Sequence, residues 1–290
     1  MSEPQASAGS SDWLNGHAAA MVLSFDMDAE SCVLSEGERY ASHIGPLSHQ
    51  AYGPRVGVPR ILELLDEFAV RSTFFVPGRS ADVWPGVVEQ IVERGHEVAA
   101  HSWAHKRLCD LTEPEERADF ERSLESLGRL GITPAGHRSP MAVPSPRTAS
   151  LVAEYGFSYQ STLMDDDRPY LLQTSKGLLA ELPISWILDD FPQYAFLPDP
   201  LLGQFVESPV KALEVWQLEL EEMRRYGGLF MLVNHPFLSG RASRVDTLRR
   251  LIGRALELGD VLVATAGETA ERVRLDQSLP TRPEPKGFDS

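Results

Sequence analysis

The sequence predicts an α/β fold with a mainly parallel sheet that forms a complete or distorted (β/α) barrel of about seven strands. Short apolar or β-branched runs alternate with longer stretches of helical spacing along the chain. About seven or eight runs of this kind occur, each followed by a helix or a long loop, and this number suits a barrel better than a small open sheet. In such a fold, catalytic groups are expected at the carboxyl ends of strands. The clearest strand candidates are Met21–Phe25, Ser72–Val76, Glu97–Ala100, Leu229–Val233 and Asp260–Ala264.

Helix boundaries are also legible in the sequence. Thr112, followed three residues later by a glutamate, predicts a capping box at the start of a helix over 113–130. Ser145 and Ser208 are each followed by proline, which predicts two further helix starts. Gly227 is expected to end the helix that Ser208 begins.

Composition excludes several classes of protein. The chain has 290 residues, of which 42% are hydrophobic and 24% charged, as in a soluble globular protein. With 27 Lys and Arg against 42 Asp and Glu, the formal net charge is −15, and no basic run occurs. A nucleic-acid or anionic-membrane partner is therefore not expected. The apolar run over 18–25 is too short to span a bilayer.

The chain is expected to form one catalytic domain over residues 19–274, between a flexible arm at 1–18 and a flexible tail at 275–290. The first basic residue is Arg39, so the pattern of a secretory signal is missing and a cytosolic location is expected. Cys32 and Cys109 are expected to be free thiols. The segment from Glu30 to Val56 has no convincing periodicity and is predicted to be an irregular loop that covers the site.

An acidic cluster follows the first predicted strand. Asp26 and Asp28 lie two residues apart, so their side chains would point to the same side of an extended strand. Two carboxylates that face the same way repel each other, and a cation or a shared proton usually relieves the repulsion. Capping by one aspartate and solvation of the other is the structural alternative.

Two histidines follow the strand candidate at 97–100. A spacing of four residues lets the imidazoles of His101 and His105 reach one ion. This spacing is common by chance, but two imidazoles and a nearby carboxylate form a facial ligand set that leaves positions open for water and substrate. His96 is expected to cap or pack instead.

Arg138 and His235 also lie at predicted strand ends. An arginine there can orient a carboxylate through a bidentate pair, whereas a surface arginine is the simpler alternative. A histidine there suits a general acid, although a buried, hydrogen-bonded histidine would give the same pattern. In the apolar run 182–192, Trp186 could wall a pocket and Asp189 or Asp190 could orient His235, against a core tryptophan and a simple turn.

Four motifs occur in order: Ser-Phe-Asp-x-Asp at 24–28, His-Ser-x-x-His at 101–105, Arg-Ser-Pro at 138–140 and Leu-Val-Asn-His at 232–235. In this combination the chain resembles the polysaccharide deacetylase superfamily, the carbohydrate esterase family with chitooligosaccharide deacetylase homology, over roughly residues 20 to 270. The resemblance implies a distorted (β/α) barrel and metal-assisted hydrolysis of an amide, typically removal of an N-acetyl group. It also implies that Asp28, His101 and His105 bind one divalent metal ion, with zinc expected first and cobalt, nickel, manganese or iron as alternatives.

The resemblance implies catalytic roles as well. Asp26 would be the base that activates water at the metal, Arg138 would hold Asp26, and His235 would protonate the leaving nitrogen. A backbone N–H near Pro140 would help to bind the oxyanion. The residues expected around the substrate are Glu30, Pro140, Trp186 and Asp190.

Two positions depart from the family pattern. Met27 separates the aspartates, which are usually adjacent, and Met141-Ala142 replaces an aromatic-Gly pair associated with sugar-chain binding. Together with Gly-Val-Pro-Arg-Ile-Leu at 57–62 and Trp-Ile-Leu-Asp-Asp at 186–190, the first departure resembles the pattern of a cytosolic subgroup. This subgroup includes peptidoglycan-deacetylase-like proteins, cyclic imide hydrolases and metal-independent allantoinases. Members of that subgroup tend to be homo-oligomers and often act on small cyclic amides or imides.

The sequence therefore predicts a cytosolic, metal-dependent hydrolase of non-peptide carbon–nitrogen bonds. Its expected substrate is a small amide, a cyclic imide or an acetylated amino compound, and its expected assembly is a homodimer or homotetramer. A polysaccharide or peptidoglycan N-deacetylase is the close alternative. A non-haem iron oxygenase would need a single carboxylate on an all-β jelly roll, and an inactive ligand-binding member is the third alternative.

Overall fold

The computed structural model describes residues 12–287, so residues 1–11 of the predicted arm and 288–290 of the predicted tail lie outside the described residues. The strands are β1 (Ala19–Asp26), β2 (Thr73–Val76), β3 (Glu97–Ala100), β4 (Gly136–His137), β5 (Tyr159–Gln160), β6 (Tyr170–Gln173), β7 (Leu178–Glu181), β8 (Phe196–Pro198), β9 (Leu201–Gly203), β10 (Leu229–Asn234), β11 (Val261–Val263) and β12 (Thr281–Pro283).

The α-helices are α1 (Ser31–Leu34), α2 (Ile44–Tyr52), α3 (Val58–Glu67), α4 (Gly78–Val83), α5 (Pro85–Glu93), α6 (Glu113–Gly128), α7 (Thr148–Glu154), α8 (Phe191–Tyr194), α9 (Pro209–Tyr226), α10 (Pro236–Ser239), α11 (Ala242–Leu258) and α12 (Ala266–Leu275). A π-helix spans Gly53–Gly57, and short 3₁₀ turns span Asp12–Leu14, Glu38–Ser42, Leu108–Asp110, Pro140–Ala142 and Trp186–Leu188. None of the helices between residues 12 and 287 is long and apolar enough to cross a bilayer.

Seven strands run parallel in the order β10, β1, β2, β3, β4, β5, β7. β11 pairs with β1, β6 runs antiparallel to β7, and β12 pairs with β6. A single bridge between Asp189 and Val233 connects the segment after β7 back to β10. The predicted α/β fold with a mainly parallel sheet is confirmed, and the five strand candidates match observed strands to within two residues at either end.

The sheet separates two apolar layers. All eight residues of β1 are buried, as expected for a parallel strand that is covered on both faces. Met21 and Leu23 pack in the larger core beneath the helices, whereas Ala20 and Val22 pack in a second core on the other face of the sheet. Because both faces of the sheet are covered, polar side chains can gather only at the edges formed by the strand ends.

Most helix predictions hold. The capping box at Thr112 is present, Ser208 accepts a hydrogen bond from the backbone of its helix, and Gly227 ends that helix in a left-handed conformation. The prediction at Ser145 is wrong by two residues, because the helix begins at Thr148 and not at Pro146. The Ser145 hydroxyl instead donates to the buried carboxylate of Glu116 at 2.8 Å, which needs partners because it is out of contact with water.

The segment over 30–56 is not an irregular loop. It consists of α1, a 3₁₀ turn, α2 and most of the π-helix. The π-helix packs on α10, and a Cβ added to Gly57 would come 2.1 Å from the Pro236 carbonyl oxygen. Tertiary packing of very short helices explains why periodicity alone could not reveal them.

Both ends of the chain were predicted to be flexible, but residues of each end pack into the domain within the described range 12–287. Trp13 is fully buried and its backbone N–H donates to Asp276 at 3.1 Å. Residues 281–283, from the predicted tail, form β12 and pair with β6. The packed domain therefore extends beyond 19–274 on both sides.

Candidate active site

Six polar side chains predicted from the four motifs meet at the carboxyl edge of the parallel sheet. They come from β1 and the residues after it, and from the residues after β3, β4 and β10. All of them line one cavity of about 200 Å³. They are Asp26, Asp28, His101, His105, Arg138 and His235. This convergence is what the architecture of parallel α/β sheets predicts.

Asp26 forms a buried ion pair with Arg138. The Arg138 Nη1 donates to Asp26 Oδ1 at 2.6 Å and to the Ser24 hydroxyl at 2.9 Å, while Nη2 donates to the Ser161 hydroxyl at 3.0 Å. The guanidinium also lies 3.9 Å from the centre of the Phe75 ring. Because every side of Arg138 is held, it fixes the position of the Asp26 carboxylate.

Asp28 lies between the two histidines. Its Oδ1 is 3.5 Å from His101 Nε2, and its Oδ2 is 3.3 Å from His105 Nε2. The His101 Nδ1 donates to the Arg138 carbonyl at 2.8 Å, so its Nε2 carries the lone pair that points toward the carboxylate. Burial lowers the pKa of His101, against the opposing effect of Asp26 and Asp28, and favours the neutral imidazole.

This arrangement fits a divalent metal ion. Asp28 is 1% exposed, yet its Oδ1 has no hydrogen-bond partner among the described residues. A buried carboxylate oxygen without a partner is costly. A cation held by Asp28, His101 and His105 would satisfy that oxygen, and one carboxylate with two neutral imidazoles is a donor set that transition metals accept.

His235 is held from behind by Asp190. Its Nδ1 donates to Asp190 Oδ1 at 2.6 Å, and its backbone N–H donates to Asp190 Oδ2 at 2.9 Å. The Ser239 hydroxyl also donates to Asp190. The Nε2 points the other way and lies 3.7 Å from Asp28 Oδ2.

Charge around His235 favours its protonated form. Burial alone would lower the pKa of His235, but the carboxylates of Asp190, Asp28 and Asp189 outweigh it and raise the pKa to about 10. Burial raises the pKa of Asp189 to about 7, against the opposing charge of His235. His235 can therefore hold a proton at neutral pH and present it to the cavity.

The rest of the cavity wall is mostly apolar. Its apolar members are Met141, Ala142, Ile184, Trp186, Phe191, Leu202 and Val233. Trp186 is 49% exposed and lies at the wall, as one of its two sequence interpretations predicted. Met141 and Ala142 both adopt left-handed backbone conformations, with φ of 55° and 54°. Strain of this kind in residues without a glycine's freedom is concentrated at functional sites.

Three residues expected around the substrate do not line the cavity. Glu30 accepts a hydrogen bond from the Trp84 indole at 2.8 Å, away from the cavity. Pro140 begins the 3₁₀ turn whose next residues form the wall, and Asp190 lies behind His235. Asp190 therefore has the orienting role that the sequence allowed for it.

Sequence reasoning missed two cavity residues from the segment over 30–56. Cys32 and Glu36 both line the cavity, so this segment does wall the site even though it is helical. The signal for Cys32 was its position four residues after Asp28. Cys32 is buried, Cys109 is exposed, and both are free thiols as predicted.

Comparison with known proteins identifies the family. Residues 51–160 match the polysaccharide deacetylase family model. A solved structure from Mycobacterium smegmatis, assigned to the polysaccharide deacetylases, is 43% identical and superposes with a TM-score of 0.90, covering 100% of this chain and 97% of the other. The chain belongs to the polysaccharide deacetylase family. As a member of this family, the chain is a hydrolase that acts on carbon–nitrogen bonds other than peptide bonds.

More distant similarities extend over most of the chain. The peptidoglycan deacetylase-like protein FGM2 of Gibberella zeae is 26% identical over 90% of this chain and 88% of its own. The peptidoglycan deacetylase of Helicobacter pylori is 28% identical over 67% of this chain and 76% of its own. A solved allantoinase shares the fold, with a TM-score of 0.78 at 22% identity, covering 97% of this chain and 100% of the other.

The oxygenase alternative required an all-β jelly roll. The mainly parallel α/β sheet observed here excludes that fold.

Proposed function

We propose that this polysaccharide deacetylase homologue is a metal-dependent hydrolase of a small amide or cyclic imide, or of the N-acetyl group of a small amino compound. The observation that carries the proposal is the joint presence of a base, an acid and a fitting ligand set around one cavity of about 200 Å³. This volume is below the roughly 300–1,000 Å³ of cavities that hold drug-sized ligands. It suits a compact substrate better than a stretch of glycan.

Asp26 is suited to be the base. Arg138 holds its Oδ1, and its Oδ2 lies 3.7 Å from His101 Nε2 on the ligand side of the site. The carboxylate can take the proton of the attacking water as the carbon–oxygen bond forms. A divalent ion held by Asp28, His101 and His105 would polarise the scissile carbonyl as a Lewis acid.

His235 is suited to be the acid. Amide cleavage requires a proton on the leaving nitrogen, because the unprotonated amide anion is a very poor leaving group. The imidazolium Nε2 faces the Asp28 side of the cavity, and Asp190 holds the ring in place through Nδ1. The proton can pass from Nε2 to the nitrogen as the carbon–nitrogen bond breaks.

The cavity wall supports a compact and weakly polar substrate. Met141, Ile184 and Trp186 line the same cavity as the ionisable groups and offer apolar surface but few hydrogen bonds for sugar hydroxyls. Leu202 from the β8–β9 hairpin and Glu36 from the segment after α1 also contribute to the wall. A glycan N-deacetylase is the second candidate, which the family and the named peptidoglycan deacetylase relatives favour.

A substrate series tests the choice. Hydrolysis of cyclic imides, ureides, N-acetylated amino compounds and chitooligosaccharides of increasing length is measured under one set of conditions. We expect turnover of compact amides or imides and no gain in kcat/KM with glycan length. The Asp28→Ala variant, purified in the same way, controls for contaminating hydrolases. A kcat/KM that increases with glycan length would overturn the small-substrate proposal in favour of the glycan deacetylase.

The cytosolic location, the homo-oligomeric state and the identity of the metal stay predictions.

A further inference from the structure

A buried thiol adjoins the proposed ligands. Cys32 lies in α1, is 5% exposed and lines the cavity. Its Sγ, a carboxylate oxygen of Asp28 and a ring nitrogen of His105 all lie within 4.8 Å of one another. At zinc–nitrogen and zinc–sulfur bond lengths, ligand atoms around one tetrahedral ion stand about 3 to 4 Å apart. Small side-chain rotations would therefore bring the three atoms onto one ion.

The backbone after β1 brings the thiol to this position. Ala29 adopts a left-handed conformation with φ of 47°, and the Ser31 N–H donates to the Asp28 carbonyl at 3.0 Å. The Ser80 hydroxyl also donates to the Asp28 carbonyl and lies 2.9 Å from the Ser31 hydroxyl. These contacts turn the chain back over itself, so that α1 presents Cys32 beside the carboxylate of Asp28.

A second observation indicates that a cation belongs at this place. Asp28 Oδ1 is buried without a hydrogen-bond partner, and so is His105 Nδ1, among the described residues. Among the described residues that line the cavity, Arg138 is the only Lys or Arg, and it pairs with Asp26 instead of Asp28. The geometry points to Cys32 as a further ligand, beside Asp28 and His105, of the ion at the proposed metal site, an inference that rests on that site.

Coordination by Cys32 would change the metal preference of the site. On binding the ion through its sulfur, Cys32 would lose the thiol proton to solvent and one water of the ion's hydration shell would be released, so charge and atoms balance. A thiolate is a soft ligand that favours zinc, cadmium and cobalt over manganese and magnesium. The competing interpretation is a protonated thiol that packs as a small apolar side chain. Burial and the nearby Asp28 carboxylate raise the pKa of Cys32, and this favours the competing interpretation as long as no cation is bound.

Absorption spectroscopy of the cobalt-loaded chain separates the two. The full chain is stripped with chelator, loaded with one equivalent of Co²⁺ and freed of unbound metal, and its bound cobalt is measured by elemental analysis. The variants are Cys32→Ser, Cys32→Ala and the matched control Cys109→Ser, which removes the exposed thiol. Circular dichroism verifies that each variant is folded.

We expect a near-ultraviolet sulfur-to-cobalt charge-transfer band in the wild type and in Cys109→Ser, and its loss in both Cys32 variants. The Cys32 variants should also lose at least tenfold in affinity for Cd²⁺ while their affinity for Mn²⁺ changes less than threefold. Stoichiometric cobalt without the band in the wild type, or a band that survives in Cys32→Ser, would overturn Cys32 ligation and leave the proposed metal site intact. A wild type that binds no cobalt would overturn both.

Discussion

Replacing Asp190 by Asn tests whether a buried carboxylate keeps His235 protonated. The substitution removes the negative charge that lies 2.6 Å from His235 Nδ1 and keeps the side chain's size. A hydrogen bond between charged groups contributes about 1.5–3 kcal/mol. Since one pKa unit corresponds to about 1.4 kcal/mol, the loss lowers the pKa of His235 by about 1–2 units. The acid form is lost as pH rises through the pKa of His235, which Asp190 raises, so it is lost at lower pH in the variant.

The assay is the pH dependence of kcat/KM with the same metal in both proteins. We expect the alkaline limb of the profile to move to lower pH by about 1–2 units, with a smaller effect on the acid side. Asp246→Asn in α11, which removes a partly exposed carboxylate and its ion pairs with two arginines, serves as the control. An alkaline limb that stays in place in a folded Asp190→Asn variant would refute the assignment of His235 as an acid tuned by Asp190.

Three further predictions follow from other contacts. Asp26→Asn should lower kcat by about 10²–10⁴-fold while elemental analysis finds the same metal content, because general-base catalysis is lost but the ligands are kept. Gly57→Ala should lower both kcat and the free energy of unfolding, the latter by about 1–3 kcal/mol, because the new Cβ would come 2.1 Å from the Pro236 oxygen next to His235. Glu181→Gln should stabilise the fold increasingly as pH rises from about 4.5 to above 7, by about 3 kcal/mol in urea unfolding, since burial raises the pKa of Glu181 to about 7 from 4.5 and its ionised form is disfavoured in the folded state.

Each of these predictions has a control or a contradicting result. Full turnover in Asp26→Asn would reassign the base. Gly253→Ala, whose new Cβ meets no atom closer than 3.8 Å, should leave kcat unchanged, so an equal loss in both glycine variants would contradict the packing argument at Gly57. A difference in unfolding free energy between Glu181→Gln and the wild type that is the same at about pH 5 and pH 8 would show that Glu181 is ionised in the folded chain.

The core of the site could be predicted because its position follows from topology. Residues that directly follow parallel strands must meet at one edge of the sheet, whatever the helices between them do. Asp28, His101 and His235 lie far apart in sequence, yet each follows an apolar run that the sequence makes visible. Asp190 was harder to interpret, because its role depends on the bridge that brings the neighbouring Asp189 beside β10.

The cavity wall could not be predicted in the same way. Cys32 and Glu36 come from very short helices, and Leu202 comes from a two-stranded hairpin. Elements of this length have little intrinsic stability, so tertiary contacts determine where they lie. Glu30 shows the converse, since it follows the acidic pair in sequence but is drawn to the Trp84 indole.

The central claim is that Asp28, His101 and His105 hold a metal ion on which hydrolysis depends. The most direct test combines elemental analysis with hydrolysis of the active imide or amide before and after chelation, in the wild type, in His105→Ala and in the control His17→Ala. We expect about one transition metal per chain in the wild type and the control, and its loss in His105→Ala. Chelation should remove the activity of the wild type, and Zn²⁺ should restore it. Full activity in metal-free protein would contradict metal-dependent hydrolysis and leave His101 and His105 as substrate-binding or structural residues.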